Sequence, residues 1–180
     1  MYQGQSGALD DSFAAIMSCL VEQWQKKQTT DEASWLVGAG VLAPGVKGRA
    51  LYDMANPGTA YDDPLGKDPQ PGHMKDYVQT EEDNGGVHTN SGIPSRAFFL
   101  AAKAIGGHSW EKAGKIWYVT LTKRLTGNAD FAKCATETVS VARDLFPEDP
   151  SIAAKVAKAW ADVGVLEEGS TASAAPSVKR

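Results

Sequence analysis

The residues best placed to do chemistry lie in one stretch, Asp83-Asn84-Gly85-Gly86-Val87-His88-Thr89-Asn90-Ser91-Gly92-Ile93-Pro94. His88 follows a carboxylate by five residues and stands just before a helix start. The two intervening glycines allow the backbone to approach a neighbour closely. An aspartate at Asp83 can fix the imidazole tautomer and raise its pKa, making His88 a cationic hydrogen-bond donor. The same pattern also suits a histidine that caps or packs. Other polar residues say less. The three histidines, His73, His88 and His108, share no helical face. Cys19 and Cys134 are too few for a disulfide framework or a Cys-rich metal site and read as reduced, buried thiols. Asp62, Asp63 and Asp68 form an acidic loop, read as a solvated turn before a cation site.

The elements that must position these residues are mostly helical. Leu9, Phe13, Ile16, Met17, Leu20, Val21 and Trp24 follow one buried stripe and predict a helix over 6–27, capped by Ser6 or Asp10. Residues 28–90 are rich in Gly, Pro, Asp and Asn. They predict a short helix at Asp31–Val37, a turn or two at Gly48–Asn56, and irregular chain from Pro57 to Thr89. A helix follows Asn90 or Ser91 and stops at Gly106-Gly107. Further helices are expected after Ser109, over Asp130–Leu145 and over Ser151–Val163. The tryptophans Trp24, Trp35, Trp110, Trp117 and Trp160 read mostly as core anchors. The fold class is all-α: four to five long helices with a long irregular insertion. Residues 1–166 form the domain and 167–180 a disordered tail.

Composition excludes several functions. Eighteen Lys and Arg against 22 Asp and Glu give a net charge of −4, so no basic field for nucleic acid exists. No apolar run is long enough to span a membrane. The N-terminus lacks the features of a signal peptide, which predicts a cytoplasmic location.

The Asp83–Pro94 stretch resembles the thermolysin (M4) family of zinc metallopeptidases, in its protealysin-like branch. So do Tyr2-Gln3 with Ser6-Gly7-Ala8-Leu9, Ala60-Tyr61-Asp62-Asp63-Pro64, and Gly107–Tyr118. The resemblance is to the family's C-terminal helical domain. It implies that Tyr2 and His88 hydrogen-bond a tetrahedral oxyanion, with Asp83 the partner of His88. It also places Val37, Val41, Leu51 and Tyr52 in the apolar pocket that receives a substrate side chain. The His-Glu-x-x-His helix of the family is absent.

Four positions depart from the family pattern. Asp11 stands at the third zinc-ligand position, one methylene shorter than the family's glutamate, and metal–oxygen bonds of about 2.0–2.2 Å leave little slack. Ala15 replaces an aspartate that orients a zinc-bound histidine. Tyr52 replaces an arginine, one neutral donor for a bidentate cation, while Arg49 falls three residues early. At the positions matching the double calcium site, Glu22 is retained but Ser34, Leu36, Ala39 and Gly40 carry no carboxylate. No metal and no double calcium site are therefore expected.

Three functions follow. The first is a non-catalytic binding lobe. The second is a repurposed metal-independent enzyme acting on a small molecule through Tyr2, Tyr52, Asp11, Asp83 and His88. The third is half of a split zinc peptidase. In each case a homo-oligomer or protein partner is expected to cover apolar residues around Leu9, Phe13, Val37 and Leu51.

Overall fold

A computed structural model describes residues 2–63 and 66–167. Helix α1 runs Gly4–Lys26, α2 Asp83–Asn90, α3 Gly92–Ile105, α4 Ala113–Lys123, α5 Phe131–Leu145 and α6 Pro150–Asp162. Two short antiparallel pairs lie between α1 and α2: β1 (Leu36–Val37) with β2 (Tyr52–Asp53), and β3 (Asp62–Asp63) with β4 (Gly66–Lys67). The fold is all-α, as expected. The expected tail falls outside the described residues except Glu167.

The core forms where apolar stripes at helical spacing meet. Helix α1 packs on α2, α3 and α4, while α6 packs on α3 and α5. Trp117 stacks on Trp160 at 6.2 Å and meets Phe98 edge-on at 5.2 Å. The buried Trp160 indole donates to Thr138 Oγ1 at 2.8 Å, so its polar tip is satisfied. Both cysteines are free and buried. Burial pushes the Cys19 thiol up to about 12 and raises that of Cys134.

Several expectations are corrected. Val21 and Trp24 are not core: they are 64% and 55% exposed, and the Lys27 ammonium sits over the Trp24 ring at 4.1 Å. Leu9 and Phe13 do not face water; each is only 4% exposed. Neither Ser6 nor Asp10 caps α1. Gln3 is the capping position, makes no side-chain cap bond, and accepts at its carbonyl from Ser6 Oγ. Ser109 lies ahead of α4 and donates to Gln23 Oε1 at 2.5 Å, joining two buried polar side chains.

The segment between α1 and α2 differs most. Asp31–Val37 is not helical: Trp35 adopts a left-handed φ of 57°, and Leu36–Val37 pair with Tyr52–Asp53. Gly48–Asn56 is extended, then turns because buried Asp53 accepts the backbone N–H groups of Ala55 and Asn56. The Asp53 carboxylate also takes Arg49 at 2.6 Å. Asp68 is not a solvated loop residue. It is 3% exposed and accepts the N–H groups of Gly58, Ala60 and Gln70. Buried carboxylates that collect backbone donors replace the missing apolar periodicity here.

Candidate functional site

His88 is delivered by an unusual turn. The first four residues of α2, Asp83, Asn84, Gly85 and Gly86, all carry left-handed φ values of 51°, 51°, 83° and 74°. Asn, Asp and Gly are the types that tolerate this conformation. The reversal folds Asp83 back beneath His88, which explains the five-residue spacing. Asp83 Oδ2 accepts the His88 backbone N–H at 2.8 Å, and Asp83 Oδ1 lies 2.5 Å from His88 Nδ1.

The glycines face α1. A Cβ on Gly85 would stand 3.2 Å from the Gly4 nitrogen, and one on Gly7 would meet Val87 Cγ1 at 2.5 Å. Bare backbone on both sides lets α2 rest against the first turns of α1. That contact brings His88 Nε2 to 3.2 Å from the Tyr2 hydroxyl, across 86 residues of sequence. Tyr2, His88 and Asp83 thus form one hydrogen-bonded relay through the two ring nitrogens of His88.

Sequence reasoning missed the residues that hold this relay. Buried Gln70 donates from Nε2 to the His88 carbonyl at 2.8 Å and to Ser91 Oγ at 2.9 Å. Buried Asn90 clamps Val78 through both backbone groups. An isolated Gln in a Pro-rich loop carries no sequence signal of this role.

The electrostatics are one-signed. The hydrogen bond to Asp83, opposed by partial desolvation, raises the His88 pKa above its ordinary value, with Asp83 and Asp11 charges adding to it. Burial opposes the Asp83 anion, yet the bonds from the His88 ring, His88 N–H and Thr89 N–H hold its carboxyl below the usual range. Burial and then Asp11 push the Tyr52 phenol up to about 12. Tyr2 is raised by burial and by Asp11, Asp10 and Asp83. Both phenols are therefore neutral O–H groups at pH 7.

The pocket residues converge in part. Val37 is the direct cross-strand partner of Tyr52, and its carbonyl accepts from Leu51 N–H at 3.0 Å. Leu51 also lies over Gly38. Val41 instead stands exposed on the Gly38–Val41 turn. Arg49 is held by Asp53 and Thr59. Glu22 pairs with Lys26.

A helical lobe presenting a Tyr–His–Asp relay beside a small apolar edge matches one domain class. Residues 1–165 match the family described as the thermolysin metallopeptidase, alpha-helical domain, and the chain belongs to that family. An extracellular metalloprotease of Pectobacterium carotovorum is 54% identical over 167 residues, covering 92% of this chain and 48% of that protein. Protease PrtS of a Photorhabdus strain is 52% identical, covering 92% and 45%. The structure of a protealysin precursor from Serratia proteamaculans superposes with a TM-score of 0.89 at 57% identity, over 92% of this chain and 52% of that one. The chain spans about half the length of these relatives.

These names correct two expectations. The relatives are metalloproteases, so metal dependence belongs to the family, and the expectation of neither a metal nor a double calcium site does not stand. Relatives named extracellular likewise overturn the cytoplasmic reading. Among the described residues, no group of three or more His, Cys, Asp or Glu converges as a metal site. Asp11 offers one carboxylate, whose Oδ2 is buried with no hydrogen-bond partner. Among the described residues, these donors do not by themselves complete a metal site. No helix of the described residues is long and apolar enough to cross a membrane.

Proposed function

We propose that this chain, by itself, is a peptide-binding lobe that engages an extended peptide without cutting it. The observation that carries this reading is the preformed relay, in which His88 joins the Tyr2 hydroxyl to Asp83 through its two ring nitrogens. Such a relay aims hydrogen-bond donors at a peptide carbonyl. The Val37, Leu51 and Tyr52 edge offers apolar contact for an adjoining side chain, and Tyr52 adds a neutral donor. Among the described residues no three metal-ligating side chains converge, which supports binding as the contribution of this lobe when alone. Calorimetric titration with a blocked apolar tetrapeptide, with mass spectrometry of the same mixture, tests this. The expected result is saturable binding weakened severalfold by His88→Ala, with the peptide intact. Cleavage products, or heat identical in His88→Ala, would refute it.

A second reading is favoured by the unpartnered Asp11 Oδ2. A buried carboxylate oxygen with no donor is costly, and its place beside the relay suits completion by another polypeptide. In that reading the lobe is half of a metallopeptidase, and its partner covers the face around Leu51. Zinc-dependent proteolysis on mixing with the complementary half of a relative would support it. Failure to form a complex would count against it.

A further inference from the structure

A cavity of about 370 Å³ opens between the first turns of α1 and the end of α4. Leu9, Phe13 and Ala129 form its floor, each already 4–6% exposed and packed from behind. Leu121 and Leu125 form one wall, and Tyr2 forms another. At about 30 Å³ per water-sized group, the space takes roughly a dozen non-hydrogen atoms.

One charged residue lines it, Asp10. Among the described residues this exposed carboxylate has neither an ion pair nor a hydrogen bond. Helix α4 ends at Lys123, whose own ammonium answers the negative end of the helix dipole, so the charge the cavity itself offers is that of Asp10. The next residue, Arg124, is neutralised by Asp144 at 2.7 Å. The rim charge on an apolar floor therefore selects for a group that is greasy and positive together.

We propose that this cavity binds an apolar group bearing an adjacent ammonium, as presented by the free N-terminus of a peptide that begins with Leu or Phe. The side chain fills the space above Leu9 and Phe13, and the ammonium pairs with Asp10. The proposal stands apart from the peptide-binding reading of the relay, sharing only Tyr2.

The probe is Phe-Leu amide, added to the full chain carrying labelled methyl groups. The dipeptide is expected to shift the Leu121, Leu125 and Ala129 methyls saturably. N-acetylation of the dipeptide, or Asp10→Asn in the protein, should weaken those shifts about tenfold. Leu125→Trp should abolish them by filling the space, and Asp10→Asn, at an exposed position, keeps the test valid if that variant misfolds. The blocked apolar tetrapeptide used against the relay should leave the Leu125 and Ala129 methyls unmoved, which separates this site from the relay. Equal affinity of the acetylated dipeptide, no effect of Asp10→Asn, shifts confined to the Val37 and Leu51 methyls, or no saturable shift by about 10 mM would each overturn the proposal.

Discussion

In the bundle, Trp117 lies stacked on Trp160 and against Phe98, and the shape follows from apolar side chains at helical spacing. In residues 27–82, Asp53, Asp68 and Gln70 sit buried, and the shape follows from backbone donors gathered by single polar side chains. The relay straddles the two: Tyr2 and His88 come from helices of the bundle, while Gln70 of the loop region holds the His88 carbonyl. The bundle is held chiefly by apolar contact, with a few buried polar pairs such as Trp160–Thr138, whereas the loop region rests chiefly on buried polar side chains.

That contrast can be broken by mutation. Trp117→Ala removes the largest buried contact and should cost about 3–5 kcal/mol, read as a lowered midpoint of global chemical unfolding. A loss confined to local opening would show that the bundle is not one core. Asp68→Ala leaves three backbone N–H groups without an acceptor and should cost about 2–3 kcal/mol. Hydrogen exchange should localise that loss to Gly58, Ala60 and Gln70, with bundle amides still protected. Uniform loss of protection across both regions would erase the distinction.

Gly86→Ala forces a Cβ into a left-handed position at φ 74° and within 2.8 Å of Asn90 Nδ2. It should cost about 1–2 kcal/mol and part His88 from Tyr2, seen as a change in the Tyr2 ring resonances. The smallest effect is electrostatic. The raised His88 pKa contributes stability that is present below the unfolded value and lost as pH rises through the folded one. The lowered Asp83 pKa contributes stability present above the ordinary carboxylate range and lost on acidification. Both groups are substantially exposed, so the pair is worth less than about 1 kcal/mol. NMR titration should show the His88 pKa falling in Asp83→Asn; an unchanged value would remove Asp83 from the relay.

Legibility in the sequence followed the same divide. The long helices α1, α3, α5 and α6 were readable because Phe13, Phe98, Cys134 and Trp160 each belong to a set of residues at helical spacing. Trp24 misled because hydrophobicity does not reveal which face lacks a neighbour. The pairing of Asp83 with His88 was readable from spacing and residue type. Its mechanism, four consecutive left-handed residues, was signalled only by the glycines. The roles of Asp53, Asp68 and Gln70 were not legible, since a carboxylate in a Pro/Gly-rich loop looks the same whether it faces water or caps buried N–H groups.

The central claim, that the Tyr2–His88–Asp83 relay receives a peptide in this chain alone, is tested most directly by imidazole nitrogen NMR of His88. The account predicts that a blocked apolar peptide shifts the His88 Nε2 resonance and the Tyr52 ring saturably while the peptide remains whole. An unmoved His88 under saturating peptide, or hydrolysis of that peptide by the chain alone, would contradict it.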